Sequence, residues 1–254
     1  MMKTYQMKLS VFMPLYTVKV SASTPLSLSA WGQMCLQDSM SSSMSTISSC
    51  YENIMTVVIL VAVFISVMLP WLIQSGGWNL TFTKNESLEL IWAASPVFLI
   101  TPTTIFSIIN VDWSVETTID PAVVLKVIGH QWYWSYEYQT HPTPLSLDAY
   151  LSQTPKWVGL SYLLTDEKVI LPYGVPVQIL CTSDDVIHSW ALPSLGVKMD
   201  CIPGRLNSSY LMSDKQGVVF GQCSEICGHL HSMMPITVEF VSEKSFLHWL
   251  ASAK

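Results

Sequence analysis

Two long stretches of this chain cannot be left facing water. No side chain between Asn53 and Thr83 carries a charge, and Ile54 to Ile73 reads IMTVVILVAVFISVMLPWLI. A second uncharged run, LIWAASPVFLITPTTIFSIIN, covers Leu90 to Asn110. Each matches the ~20 residues a helix needs to cross the hydrocarbon core of a bilayer. Pro70, Pro96 and Pro102 are tolerated in such helices where neighbouring groups satisfy the freed backbone. The sequence therefore predicts a transmembrane hairpin over residues 53–110, with spans at about 54–74 and 89–110. The short connection QSGGWNLTFTKNESLE places both chain ends on one side, and Lys84 is its only base, so charge specifies orientation weakly.

What flanks the hairpin differs in kind. From Val111 onward there are 14 acids and 8 bases, whereas four of each precede it, so the region 111–254 carries the whole net charge of −6. This reads as an acidic soluble domain on a neutral membrane anchor. Acids gathered on one face would steer a basic partner; no nucleic-acid partner is expected. Residues 1–52 form a separate N-terminal segment. Its first 37 residues hold three lysines and no acid, so part of it is expected to be a cleaved leader, although no clear cleavage signature stands out.

The acidic region reads as strands. AVVLKVIGHQWYWSYEY (Ala122 to Tyr138) is too β-branched and aromatic for a comfortable helix. KVILP (168–172), VPVQILCTS (175–183) and GVVFGQC (217–223) are short runs bounded by Gly or Pro, and PITVEFV (235–241) alternates before a final helix, SEKSFLHWLASA. Short strands separated by turns predict an antiparallel sandwich or small barrel.

One loop carries the chemistry. GQCSEICGHLHSMMP runs from Gly221 to Pro235 and spaces Cys223, Cys227, His231 and Met234 by four, four and three, with His229 interleaved. His188 stands upstream in DDVIHSW, at a strand end. Two thiolates and two imidazoles make a closed tetrahedral zinc set; a thioether is soft and favours copper. Mononuclear blue copper uses a single Cys, so the second thiolate here suits two bridged coppers. Zinc, a disulfide and plain packing stay open on spacing alone.

Three segments, GQCSEICGHLHSMMP, DVIHSWALPSLGVKMDCIPGRLN and GHQWYWSYEY, resemble the signature segments of subunit II of cytochrome c oxidase, in order and behind the same hairpin. The resemblance covers roughly Trp31 to the C-terminus. It implies an all-β, cupredoxin-like Greek-key barrel in the intermembrane space of mitochondria, anchored in the inner membrane and holding a binuclear copper centre. By position, Cys223 and Cys227 bridge both coppers, His188 and His231 take one each, and Met234 and the carbonyl of Glu225 are the weak donors. The Glu225 carboxylate would help hold magnesium at the interface with subunit I, supported by Asp200. Trp132 matches the exposed indole where electrons enter from cytochrome c, and Glu89 the mouth of a proton pathway. His229 is not at a ligand position and reads as an extra polar loop residue; Cys181 and Cys201 read as packed thiols.

The resemblance makes the chain the electron-accepting subunit of a proton-pumping oxidase, with oxygen reduction in subunit I and no catalytic residue of its own. Glu137, Asp166, Glu167, Asp184 and Asp185 are candidates for an acidic patch facing cytochrome c. A quinol oxidase subunit of the same fold would lack the copper ligands, and a membrane-anchored zinc module has no use for Met234. Two departures stand out: SSCYENIM replaces the family's histidines before the first span, and THPTPLSLDAYLSQTPKW replaces its acidic segment after Gln139.

Overall fold

The computed structural model describes residues 26, 27, 29, 32–77, 79, 81–115, 120–139, 144–152 and 162–253. They fall into two units, a helical one from Ser42 to Ile119 and a β unit from Asp120 to Lys254 that also takes in the chain up to Ser41.

In the helical unit α1 spans Ser42–Gln74 and α2 spans Glu86–Val115. Asn85 caps α2, its Oδ1 accepting the Leu88 N–H at 3.0 Å. The two helices pack on each other, with Cys50 Sγ 3.2 Å from Ser107 Oγ. Their remaining apolar side chains, including Leu60, Phe64, Ile73, Phe98 and Ile105, face outward. A continuous apolar surface of that extent needs lipid or other apolar protein against it. Hydroxyls inside the spans find partners in their own helix: Ser95 Oγ donates to Ile91 O at 2.6 Å and Thr101 Oγ1 to Val97 O at 2.7 Å. Neither leaves a donor unmet in hydrocarbon.

α1 starts at Ser42, well before the expected span at 54, and α2 continues past 110 to Val115. Absence of charge marks the part of a helix that tolerates hydrocarbon. Backbone hydrogen bonding carries the helix further into polar sequence.

The β unit contains β1 (Leu26–Ser27), β2 (Val123–His130), β3 (Tyr133–Tyr138), β4 (Leu145–Ala149), β5 (Val169–Pro172), β6 (Val177–Ser183), β7 (His188–Leu192), β8 (Val197–Cys201), β9 (Asn207–Leu211), β10 (Gly217–Gln222) and β11 (Pro235–Val241). One sheet has the order β4-β3-β2-β6-β9, a second β1-β10-β11-β5, and β7 and β8 form a hairpin. The sheets are mixed rather than antiparallel throughout: β2 runs parallel to β6, β5 to β11, and β1 to β10.

Alternation in β2, β3 and β6 turns Leu125, Val127, Trp134, Tyr136, Tyr138, Val177, Ile179 and Cys181 inward. Buried phenols are satisfied: Tyr136 Oη accepts from Trp190 Nε1 at 3.3 Å, and Tyr138 Oη donates to Ile170 O at 3.0 Å. α3 (Glu243–Ser252), capped by Ser242, closes the core by setting Phe246 and Trp249 against Tyr138. β7 is buried along its whole length and lies close to β10. A Cβ on Gly221 would sit 1.8 Å from the Ala191 carbonyl oxygen. Gly221→Ala is therefore expected to cost about 3 kcal/mol or more, beyond ordinary overpacking because backbone is struck. Thermal unfolding of the purified chain, or its yield in membranes, checks this.

The segment ahead of α1 belongs to the β unit rather than standing apart. Leu26 and Ser27 pair with Val218 and Val219, and Met40 is buried in the core. Its carbonyl accepts from Asp214 N at 2.9 Å and from Ser213 Oγ at 3.2 Å.

Candidate metal centre

Three pieces of the fold meet at one end of the β unit: the start of β7, the β2–β3 turn and the loop from β10 to β11. β7 opens with His188, fully buried. The loop leaves β10 at Gln222 and folds back so that Cys223 N–H reaches Met234 O at 3.4 Å. Trp134 Nε1 donates to the same carbonyl at 3.3 Å, and a 3-10 turn at His231–Met233 presents His231 and Met234 inward. Ser224 N–H to Ser189 O, 2.9 Å, ties the loop to β7.

The donor atoms converge. Cys223 Sγ lies 4.0 Å from Cys227 Sγ, 3.9 Å from His188 Nδ1 and 3.3 Å from Glu225 O. Cys227 Sγ lies 3.5 Å from both His231 Nδ1 and Met234 Sδ. His188, Cys223 and Cys227 place one ligand atom each within 4.8 Å of one another. Donors bound tetrahedrally at metal–ligand lengths of about 2.1–2.3 Å are about 3.6 Å apart, so these spacings suit shared metal. None of the described cysteines is in a disulfide.

Electrostatics point the same way. Burial opposes ionisation of Cys223, yet hydrogen bonding to His188 and to the backbone at Ser189 and Glu225 outweighs it and brings the thiol down to about 7. Cys227 moves up to about 12, through burial first and then the charge on Cys223. One thiolate forms readily, and the second needs added positive charge, which a metal supplies.

Asp185 stands behind His188, its Oδ1 2.8 Å from Nε2, leaving Nδ1 toward the sulfur. Burial lowers the His188 pKa, but Cys223 and Asp185 outweigh it and the net shift is upward. Asp185 also accepts from Gln131 N at 2.6 Å and Val186 N at 2.6 Å. Gln131 Nε2 reaches Cys227 O at 2.7 Å, so the β2–β3 turn, β7 and the loop are locked together.

Asp185 is thus a support for the donor set rather than a free surface acid, and neither it nor Gln131 was singled out for that role from sequence. An Asp three residues before a candidate ligand His was the available signal. Three of the other predicted acids have local partners. Glu137 pairs with Lys126 at 3.0 Å, Asp166 accepts the backbone N–H groups of Tyr150 and Glu167, and Asp184 is exposed with Oδ2 3.8 Å from His130 Nδ1. Trp132 is half-buried and packs on the core edge. Glu225 is half-buried, and Asp200 is exposed with Oδ1 accepting from Ser189 Oγ at 2.8 Å. Glu89 is exposed in the first turn of α2. Cys181 and Cys201 are buried in the core.

Comparison with known proteins gives the arrangement a context. The family model described as cytochrome c oxidase subunit II, periplasmic domain, matches residues 123–241, and that of the subunit II transmembrane domain matches 29–109. Cytochrome c oxidase subunit 2 of Apis koschevnikovi is 37% identical over 223 residues, 88% of this chain and 98% of that one. The protein of the same name from Ctenocephalides felis is 36% identical over 89% of this chain and 99% of its own. Among solved structures, the periplasmic domain of subunit II of cytochrome oxidase from Bradyrhizobium japonicum is 36% identical and superposes with a TM-score of 0.50, covering 54% of this chain and 96% of that one.

The donor set of a buried His and two Cys, with a thioether beside them, fits copper. Because the similarity runs through both apolar helices and from β2 to β11 at this identity, the chain belongs to the cytochrome c oxidase subunit II family, as a membrane-spanning component of an oxidoreductase complex.

Proposed function

We propose that the chain accepts electrons one at a time from reduced cytochrome c at a binuclear copper centre and passes them toward haem in subunit I, where oxygen reduction is coupled to proton pumping. In this reading it lies in the mitochondrial inner membrane with the β unit in the intermembrane space. The observation that carries it is the gathering of two imidazoles, a thioether and a backbone carbonyl around two sulfurs 4.0 Å apart.

Cys223 and Cys227 would bridge the coppers, with His188 and His231 on one each and Met234 and the Glu225 carbonyl as weak donors. When bound, the copper pair supplies a one-electron acceptor with its charge change spread over two metals. The chain's part is to hold the donors still, through loops fixed on a rigid barrel and through Asp185 orienting His188. A visible and near-infrared spectrum of the purified complex tests the reading, since zinc is colourless and mixed-valence copper is not. Zinc at full occupancy would overturn it.

Glu225 is proposed to help hold a magnesium ion shared with subunit I. Asp200 is linked to the copper loop through Ser189, which bonds both Asp200 and Ser224. Glu89 is proposed as the mouth of a proton pathway, supported by its place among the exposed residues at the start of α2.

Asp184 and Asp185 are expected to separate docking from metal retention. Asp184→Asn should slow association with cytochrome c about threefold or more at low salt, and little near 1 M, where the screening length falls to about 3 Å. Asp185→Ala should weaken copper retention about 10–100-fold by freeing His188. Stopped-flow association and chelator competition measure the two. Equal behaviour of the two variants would show that the division of roles is wrong.

A further inference from the structure

Trp132 occupies the turn between β2 and β3, and its buried indole Nε1 has no hydrogen-bond partner among the described residues. No hydrogen bond sets the angle of the ring, so packing must. Two neighbours in the stretch between Cys227 and His231 supply it. A Cβ at Gly228 would lie 2.9 Å from Trp132 Cζ2 and 3.1 Å from Nε1, so the ring sits where only glycine lets the loop backbone come this close. His229 makes the other contact, with ring centroids 4.3 Å apart and planes at 73°. That is an edge-to-face pair, which favours one relative orientation over others. The His229 side chain is otherwise exposed, and the surface position gives it no other evident task.

We infer that His229 is a positioning residue for Trp132: with Gly228 it clamps the indole against the copper loop and so sets how fast electrons cross from docked cytochrome c. The inference rests on the reading of Trp132 as the place where electrons enter, and it gives His229 a role that its sequence context did not suggest.

A double-mutant cycle tests it, read by stopped-flow reduction of the assembled oxidase at saturating reduced cytochrome c. His229→Ala is expected to slow the first-order transfer phase about fivefold, within the range an aromatic pair is worth. Copper content, the near-infrared band and the salt dependence of docking should not change. His229→Phe, which keeps an aromatic edge, should restore the rate, and His229→Gln should not. In a Trp132→Ala background, His229→Ala should add nothing. A wild-type rate in His229→Ala, failure of Phe to restore, or equal slowing in both backgrounds overturns the inference while leaving the role of Trp132 standing. If Trp132→Ala itself transfers electrons at the wild-type rate, both fall.

Discussion

Changing either Cys223 or Cys227 to serine is expected to remove two coppers from the oxidase, not one. The two sulfurs have different neighbours: His188 and the Glu225 carbonyl beside Cys223, His231 and Met234 beside Cys227. Two independent one-metal sites would each lose their own ion when their own cysteine was changed. Shared sulfurs would make the losses inseparable, because each thiolate would serve both metals and a serine hydroxyl neither ionises near neutrality nor offers a soft donor. The substitution is nearly isosteric, and an unsatisfied buried hydroxyl costs about 1–3 kcal/mol, so the β unit should still fold. Copper per complex, measured against wild type, should fall by two in each variant. The near-infrared band should vanish, and oxidation of cytochrome c should drop to background. A loss of one copper, with a mononuclear spectrum remaining, would sink the bridged arrangement.

Trp132→Ala should leave copper in place and still cut the rate at which electrons arrive by about 100-fold, the scale on which a lost positioned group between reactants is felt. The ring touches the loop that carries the donors, through Gly228 and His229, yet supplies no donor atom itself. Removing it shortens no bond in the metal site and takes away the aromatic bridge to the surface. Because the defect lies after docking, raising cytochrome c concentration should not recover the rate. Single-turnover reduction at rising cytochrome c concentration separates the cases. A change confined to apparent affinity, or loss of copper, would make Trp132 a packing residue.

The sequence disclosed some of this architecture and hid the rest for physical reasons. Charge-free runs located the spans, because hydrocarbon excludes charge, but not the helix ends, where Ser42 to Glu52 stay helical in polar sequence. β11 was legible from Pro235 and alternation. The Gln131–Trp132 turn was not, because neither residue belongs to the usual turn formers and nothing marked a break between them. β7 lacks alternation because both of its faces are covered. Spacing gathered the loop donors, whereas the difference between Asp184 and Asp185 is one of direction. Adjacent identical letters point one carboxylate to solvent and the other to His188.

The pairing of Leu26–Ser27 with β10, and the burial of Met40, bind residues from before the helices to residues far beyond them. That closure imposes a parity rule: the chain between the two halves must cross the bilayer an even number of times, or the halves could never meet. It also sets a schedule. The N-terminal strand waits for a partner made some 190 residues later, so this side of the fold stays unfinished until β10 has been synthesised. The helices are therefore made before this pairing can form, and the segment that emerged before either of them completes it.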